Sequence, residues 1–261
     1  MGGAILQGLL APSVSVGGGI RVTNRTAAKA ALVAADGVES IALESEPDGN
    51  QRAVTGAGIV LLGVKPAMIV DTLRSLAGSL EPDALIVSVA AGIPIETIEA
   101  VVPNPVLRAM PNTPAKIGKG VTGVAAGSRV TPEQNAQVVA LFETVGTVVE
   151  IPEEQIDALS TISGSGPAYV FLLIEEFTRT AIGLGFTLEQ ARMLVQGTFS
   201  GSVELLDASG LDPEVLRAQV TSPNGTTERA IRVLQDAELS TVFDGAVLAA
   251  LARAREMAAG A

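Results

Sequence analysis

The spacing of apolar residues changes near Pro152 and divides the chain into two parts. In the first part, short runs that are apolar throughout alternate with stretches of helical spacing. Such runs are typical of strands covered on both faces, and their alternation with helices predicts a doubly wound parallel sheet. In the second part, helical spacing continues to Ala261 without strand-like runs. We therefore predict an α/β domain over 1–151 and an all-helical domain over 152–261.

The elements follow from the same pattern. The predicted strands are Gly19–Thr23, Gly58–Val64, Ala84–Val89, Val106–Ala109, Gly123–Ala126 and Thr147–Ile151. The predicted helices in the first part are Thr26–Ala35, Met68–Leu76, Pro94–Val101 and Thr131–Val145. Capping boxes at Thr131 with Gln134 and at Thr187 with Gln190 indicate helix starts, as does Asp212 before Pro213.

Ala168–Leu184 is the most apolar helical stretch, and it is apolar almost all round. Glu175 and Arg179 are an exception that forms a favourable i,i+4 pair. A helix with apolar residues on every side has to be buried on every side. Because a domain of about 110 residues can hardly bury such a helix by itself, we predict that this helix packs against a partner subunit.

Composition excludes several classes of partner. The 261 residues carry a net charge of −11, which opposes non-specific binding to nucleic acid or to an anionic membrane. No apolar run approaches the roughly 18 residues that cross a bilayer. The N-terminus also lacks the basic and then apolar layout of a signal peptide, so we expect a cytoplasmic protein.

The residue inventory restricts the chemistry. The chain has no Cys and no His, and Tyr169 is its one tyrosine. Thiolate nucleophiles and Cys-ligated metals are thereby excluded, and the commonest metal ligand and acid–base group is absent. We predict no metal site, and we favour a reaction in which a cofactor performs the difficult step while the protein orients it.

The start of the chain resembles the end of a dinucleotide-binding fingerprint. A Rossmann-like domain holds the pyrophosphate on a Gly-rich turn between its first strand and first helix. Here the sequence begins at once with Gly2, Gly3 and an apolar helix. Either these glycines are simply where the chain starts, or Met1 is an internal methionine of a longer protein. We favour the second explanation, with the first strand missing, and expect Gly2 to contact the cofactor.

The end of the next strand bears on cofactor choice. NAD sites usually place an acid there for the ribose 2′-hydroxyl, whereas this chain has Asn24 and Arg25. Arg25 could pair with a 2′-phosphate, which favours NADPH, with NADH as the alternative. The competing interpretation is that Asn24 caps the following helix and Arg25 is a solvated surface residue.

Two turns follow apolar strands and contain small residues. They are formed by Gly63, Val64, Lys65 and Pro66, and by Ser88 to Gly92. The carboxyl ends of parallel strands line the ligand crevice, so a flat nicotinamide could approach the backbone there. Lys65 alone would be an ordinary solvated lysine.

The segment Val220–Thr227 contains a Pro-Asn-Gly turn that leads into two threonines at a helix start. Free backbone N–H groups and two hydroxyls there would suit a carboxylate. As structure alone, the same segment is an ordinary helix cap.

Five motifs in order give these segments a context. Leu216–Asp236 resembles the signature of the pyrroline-5-carboxylate reductases. The GSGPAY segment at 164–169, the RAMPNTP stretch at 108–114, the GVKP turn at 63–66 and the SVAAGI turn at 88–93 are similar to that family too. The resemblance covers the chain from Met1. It implies reduction of 1-pyrroline-5-carboxylate to L-proline by hydride from NADPH, the final step of proline biosynthesis.

The resemblance also implies roles for particular positions. The backbone at Gly225–Thr227 would bind the substrate carboxylate, the Thr227 hydroxyl would lie near the ring nitrogen, and Val220, Ser222 and Thr226 would complete the substrate loop. The nicotinamide would lie beside Val64–Pro66 and Ala90–Gly92, including Ala91. The adenosine end would lie near Asn24, Arg25 and Asn50. The helical domain would form dimers, and five dimers would form a decamer.

The sequence departs from the family pattern at Asn224, and two other functions are compatible with the fold. Asn224 stands where the family commonly has Gly, but Asn tolerates positive φ better than other side chains do. A hydroxyacid dehydrogenase of similar build needs a base, commonly a Lys, and 152–261 contains no Lys. The other rival is a non-catalytic NADP-binding or scaffold protein of the same fold.

Overall fold

The computed structural model describes residues 1–258, which form two compact units. The first unit comprises Met1–Ser165 with the C-terminal segment from Leu251, and the second comprises Gly166–Ala250. Strands occur only in the first unit among the residues described.

Within residues 1–258, seven strands form two sheets. They are β1 (Ile20–Asn24), β2 (Val38–Ala42), β3 (Ile59–Leu62), β4 (Leu85–Ser88), β5 (Val106–Met110), β6 (Gly120–Ala126) and β7 (Gly146–Glu150). β1 and β2 form a parallel pair, and the other five lie side by side in chain order. The chain itself begins with a helix, α1 (Gly2–Leu9), which packs through Ala4 and Ile5 into the core of the five-stranded sheet.

The predicted doubly wound fold is confirmed, but the prediction that its sheet is parallel is wrong at one pair. β5 and β6 are antiparallel, whereas the remaining pairs are parallel. The cause lies in the connection, which is a short 3-10 turn at Thr113–Ile117 instead of a helix. A parallel crossover needs roughly a dozen residues or more, usually with a helix, so this connection reverses the chain direction. The sheet is therefore mixed.

The helices of the first unit cover the strands. They are α2 (Ala27–Ala31), α3 (Gly49–Val54), α4 (Ile69–Leu76), α5 (Ile95–Glu99), α6 (Pro132–Glu143) and α7 (Ile156–Leu159). The Thr131 capping box is present, with both reciprocal hydrogen bonds. β2 and α3 were not predicted, because the segment around Val38–Ala42 is short and mixes apolar with polar residues. Both elements lie beside β1.

Two large apolar clusters, with a small third one around Met110, Ala125 and Ile156, form the core of the first unit. One includes Ile69, Leu73, Ile86 and Ile98, and the other includes Leu85, Val87, Leu107, Val138 and Phe142. These side chains are almost fully buried. The strands β4 and β5 are buried along their whole length, which agrees with their uninterrupted apolar sequence.

The second unit consists of helices. They are α8 (Gly166–Gly183), α9 (Leu188–Ser209), α10 (Pro213–Gln219) and α11 (Thr226–Asp236), and α12 (Leu239–Ala258) begins in it. Thr187 and Gln190 form the second capping box. The buried core here is limited to Ala181, Ala191 and Val195, with Ile174 and Phe199 against it. Within residues 1–258, none of the helices is both long and apolar enough to cross a membrane.

Candidate cofactor and substrate sites

The two small-residue turns of the first unit lie at the same edge of the five-stranded sheet. In the parallel register, Leu62 at the end of β3 pairs with Ser88 at the end of β4, and Ser88 pairs with Arg108 on β5. The turns Gly63–Pro66 and Ala90–Gly92 follow directly. Neighbouring carboxyl ends of this kind are where doubly wound sheets bind ligands.

Each turn has its own local geometry. The Ala90 N–H donates to the Ser88 hydroxyl over 3.3 Å, so the strand end fixes the beginning of the turn. Gly92 has φ of 71°, a conformation that other residues rarely adopt. In the other turn, Gly63 and Lys65 are exposed and Val64 is half-buried. In the Ala90–Gly92 turn, Ala90 is buried, Ala91 is exposed and Gly92 is half-buried. Small residues on this turn and exposed backbone on the other leave room for a flat ring.

A buried ion-pair network that the sequence pattern does not predict supports this edge. Arg108 Nη1 lies 3.0 Å from Glu153 Oε1, and Arg108 Nη2 lies 3.4 Å from Asp157 Oδ1. The Arg108 side chain is 5% exposed, whereas each carboxylate is about a third exposed. Glu153 also accepts a hydrogen bond from the Ile95 N–H, at 2.7 Å. One carboxylate thus ties β5 to the helix that follows the Ala90–Gly92 turn. The sequence feature that indicates such a network is a single Arg inside an otherwise apolar strand, because a buried Arg needs a partner.

Asn24 and Arg25 follow β1, in the two-stranded sheet. Thr26, not Asn24, caps α2, since its hydroxyl accepts from the Lys29 N–H at 3.4 Å. The interpretation of Asn24 as the helix cap is therefore wrong. The Asn24 Nδ2 atom is buried and has no hydrogen-bond partner within the described chain.

Arg25 is exposed, and no ion pair joins it to another side chain in the described residues. An unused amide donor next to an unused guanidinium fits the phosphate-bearing adenosine end of NADPH. Asn50 lies half-buried in the first turn of α3, the helix beside β1. The carboxylates of Glu39 and Glu46 both bind Arg52 on that helix. They raise the pKa of its guanidinium, and Glu39 contributes most. Gly2 is exposed in the first turn of α1.

The segment Val220–Thr227 forms a tight turn before α11. The Gly225 N–H donates to the Ser222 carbonyl at 3.0 Å, and Asn224 has φ of 59°. Gly225 is the N-cap of α11 and offers no side chain to it. A Cβ on Gly225 would lie 2.9 Å from the Ser222 carbonyl oxygen, so the turn requires glycine at this position.

The start of α11 leaves donors unused. In the part of the chain that the structure describes, the N–H groups and hydroxyls of Thr226 and Thr227 have no hydrogen-bond partner. Thr227 is half-buried, whereas Val220, Ser222 and Thr226 are exposed. Unused N–H groups at the positive end of a helix dipole suit a carboxylate.

Glu228 stabilises this turn, and the sequence pattern does not predict this role either. Its carboxylate accepts the Asn224 N–H at 2.8 Å, so it reaches back from the first turn of α11 and holds the positive φ of Asn224. The pattern resembles a capping box displaced by one residue, which a search for Ser or Thr at the N-cap does not detect. No cluster of three or more His, Cys, Asp or Glu suited to a metal occurs among the described residues.

Two family models match this chain, one over its helical C-terminal part and one over its N-terminal part. Residues 153–257 match the model described as pyrroline-5-carboxylate reductase dimerisation. Residues 1–92 match the model described as NADP oxidoreductase coenzyme F420-dependent.

Individual proteins are similar over most of their length. The pyrroline-5-carboxylate reductase of Pseudomonas aeruginosa is 41% identical over 214 residues, which cover 81% of this chain and 78% of that protein. The structure of a pyrroline-5-carboxylate reductase from Coxiella burnetii superposes with a TM-score of 0.88 at 34% identity, covering 97% of this chain and 93% of the other. The Plasmodium falciparum pyrroline carboxylate reductase with NADP bound gives 0.81 at 25% identity, over 99% and 94% of the two chains.

Proposed function

We propose that this chain, which belongs to the pyrroline-5-carboxylate reductase family, reduces 1-pyrroline-5-carboxylate to L-proline with NADPH. This reaction is the final step of proline biosynthesis. The observation that carries the proposal is the start of α11, where two N–H groups and two hydroxyls lack partners in the described chain. A small carboxylate with an adjacent ring nitrogen matches that set of donors.

The substrate loop binds and orients the imino acid. On the turn that Gly225 shapes, the backbone N–H groups of Thr226 and Thr227 hold the carboxylate, and the Thr227 hydroxyl hydrogen-bonds the ring nitrogen. Val220, Ser222 and Thr226 complete the loop around the ring. A cyclic imine with a protonated nitrogen is already electrophilic, so no strong acid is required and a chain without His or Cys can serve. Orientation then supplies most of the rate enhancement.

The first unit binds the cofactor. When bound, NADPH supplies the hydride that the imine carbon accepts. Gly63, Val64, Lys65 and Pro66 form one wall for the nicotinamide, and Ala90, Ala91 and Gly92 form the other. Asn24, Arg25 and Asn50 hold the adenosine end, and Gly2 contacts the pyrophosphate. The buried Nδ2 of Asn24 and the guanidinium of Arg25, which has no ion-pair partner among residues 1–258, support this assignment, and NADH is the weaker alternative.

The proposal extends to organisation. We assign 1–151 to the NADP-binding domain and 152–261 to substrate binding and dimerisation. The proposed assembly is a homodimer, with a decamer of five dimers as the larger form, in the cytoplasm and without nucleic-acid or membrane partners. The dimerisation family match at 153–257 and the exposed phenylalanines of α8 support the homodimer.

The test is NADPH oxidation on addition of 1-pyrroline-5-carboxylate. We expect Thr227→Val to lower kcat/KM by about 10- to 100-fold, because the variant loses one hydrogen bond to the substrate in the transition state. Thr147→Val is the matched control, since Thr147 is exposed on β7 and its hydroxyl makes no hydrogen bond in the described chain. A wild-type protein that binds NADPH but reduces no imine would overturn the proposal and support the non-catalytic alternative.

A further inference from the structure

The turn that follows β1 contains no acidic residue of its own, but the carboxylate of Glu44 lies beside it. The Glu44 N–H donates to the Arg25 carbonyl at 3.2 Å, and the Ala27 N–H donates to Glu44 Oε1 at 2.6 Å. The Leu43 N–H donates to the Asn24 carbonyl at 2.9 Å. Glu44 therefore reaches this turn from the end of β2, the neighbouring strand, and two hydrogen bonds fix its position.

The turn consequently presents both signs of charge. Arg25 and Glu44 do not form an ion pair with each other within 4.0 Å. The Arg25 guanidinium has no other ion-pair partner in residues 1–258. Glu44 is exposed, and its second oxygen accepts no hydrogen bond from the described residues. A cation suited to a phosphate and a carboxylate suited to a hydroxyl thus lie on the same turn.

These two groups favour different ribose substituents. NADPH carries a phosphate on the adenosine ribose, which a guanidinium attracts and a carboxylate repels. NADH carries a hydroxyl there, and an acid that accepts from this hydroxyl is the usual mark of an NAD site. In those sites the acid lies at the end of the strand before the turn, whereas here it arrives from the next strand.

We propose that Glu44 is a specificity-determining residue that weakens the preference of this protein for NADPH over NADH. The proposal rests on the proposed function, because it requires the adenosine end of the cofactor at Asn24 and Arg25. Glu44 repels the 2′-phosphate and accepts a hydrogen bond from the 2′-hydroxyl. Since the carboxylate is exposed, its effect is moderate and decreases as salt screens it.

The test is equilibrium binding of NADPH and NADH to the wild type and to Glu44→Gln, measured by titration calorimetry without substrate. Glutamine retains an oxygen that can accept the Ala27 N–H, so the turn keeps its shape while the charge is lost. We expect the Kd for NADPH to fall about 3- to 10-fold at low salt, and the Kd for NADH to stay constant or rise. The effect on NADPH should shrink at high salt.

Asp36→Asn provides the matched control. It removes the same unit of charge from an exposed side chain, but it lies before β2, at the opposite end of the strand pair from Glu44. This control should leave the ratio of the two Kd values unchanged. An equal change of both Kd values in Glu44→Gln, or no change, would overturn the role of Glu44 while leaving the proposed function intact. A wild-type protein that binds neither nucleotide would overturn both.

Discussion

Two amphipathic helices, one in each unit, show how differently the same pattern is used. In the first unit, α4 buries Ile69, Leu73 and Leu76, each at most 3% exposed. In the second unit, α11 buries none of its residues fully, and Val233 and Leu234 are 69% and 50% exposed. A hydrophobic face predicts that a helix packs against something, but it does not say what lies opposite.

The same contrast holds for the units as wholes. The first unit has two extended cores and isolated exposed apolar residues, such as Leu32 at 84%. The second has a small core and a run of exposed side chains on α8, among them Phe171, Leu172 and Phe177 at 51–65%. Exposed apolar surface of this extent marks an interaction site. The first unit is therefore stabilised internally, whereas the exposed apolar surface of the second agrees with the proposed homodimer.

The strongest test of this difference is to place charges on the exposed face of α8. We expect Phe171→Asp combined with Phe177→Asp to convert the assembly into monomers or to abolish folding of the second unit. Each buried Phe contributes about 1.5–3 kcal/mol, and a buried carboxylate costs more than that gain. Light scattering coupled to size-exclusion chromatography measures the assembly.

The control for that experiment is Leu32→Asp in the first unit. Leu32 is more exposed than either Phe, yet it stands alone at the end of α2. We expect this variant to keep the wild-type mass. If the double Phe variant also keeps it, the second unit is self-sufficient and the comparison between the units fails.

The next largest effect should come from a cavity in the core of the first unit. Leu85 on β4 is fully buried, so Leu85→Ala should lower the free energy of unfolding by about 2–5 kcal/mol. Because this core lies within one chain, the loss should not depend on protein concentration. Denaturant titration at two concentrations checks this, with Phe171→Ala as the matched variant whose loss should depend on concentration. A concentration-dependent loss in Leu85→Ala would contradict the assignment.

The sequence predicts the parts of this molecule that depend on local spacing. Apolar runs predict the buried strands β4 and β5, and both capping boxes form as predicted, because each needs only four consecutive residues. The antiparallel β5–β6 pair was missed because direction depends on the connection. Glu44, Arg108 and Glu228 were missed because their partners are set by tertiary or turn geometry.

A smaller effect is expected at the substrate loop. Gly225→Ala would bring a Cβ to 2.9 Å from the Ser222 carbonyl oxygen and force the turn to shift. We expect the KM for the imino acid to rise about 10-fold, equivalent to about 1.4 kcal/mol, with little change in the Kd for NADPH. Steady-state kinetics and nucleotide titration separate the two effects.

Gly197→Ala serves as the control for the loop variant. Gly197 lies inside α9 with open space around its Cβ position, so alanine should raise helix stability and leave the KM unchanged. An unchanged KM in Gly225→Ala would mean that the turn does not hold the substrate.

The smallest predicted effect compares two identical devices, one in each unit. Thr131 with Gln134 and Thr187 with Gln190 form capping boxes with the same pair of distances, 3.0 and 3.2 Å. Removing either hydroxyl by Thr→Ala should cost about 1 kcal/mol, because one helix N–H loses its acceptor. If the second unit is held by association, the loss of unfolding free energy in Thr187→Ala should depend on protein concentration. The loss in Thr131→Ala should not depend on it. If both variants lose the same unfolding free energy at every concentration, the two units unfold as one. The exposed apolar side chains of the single chain would then not indicate how each unit is stabilised.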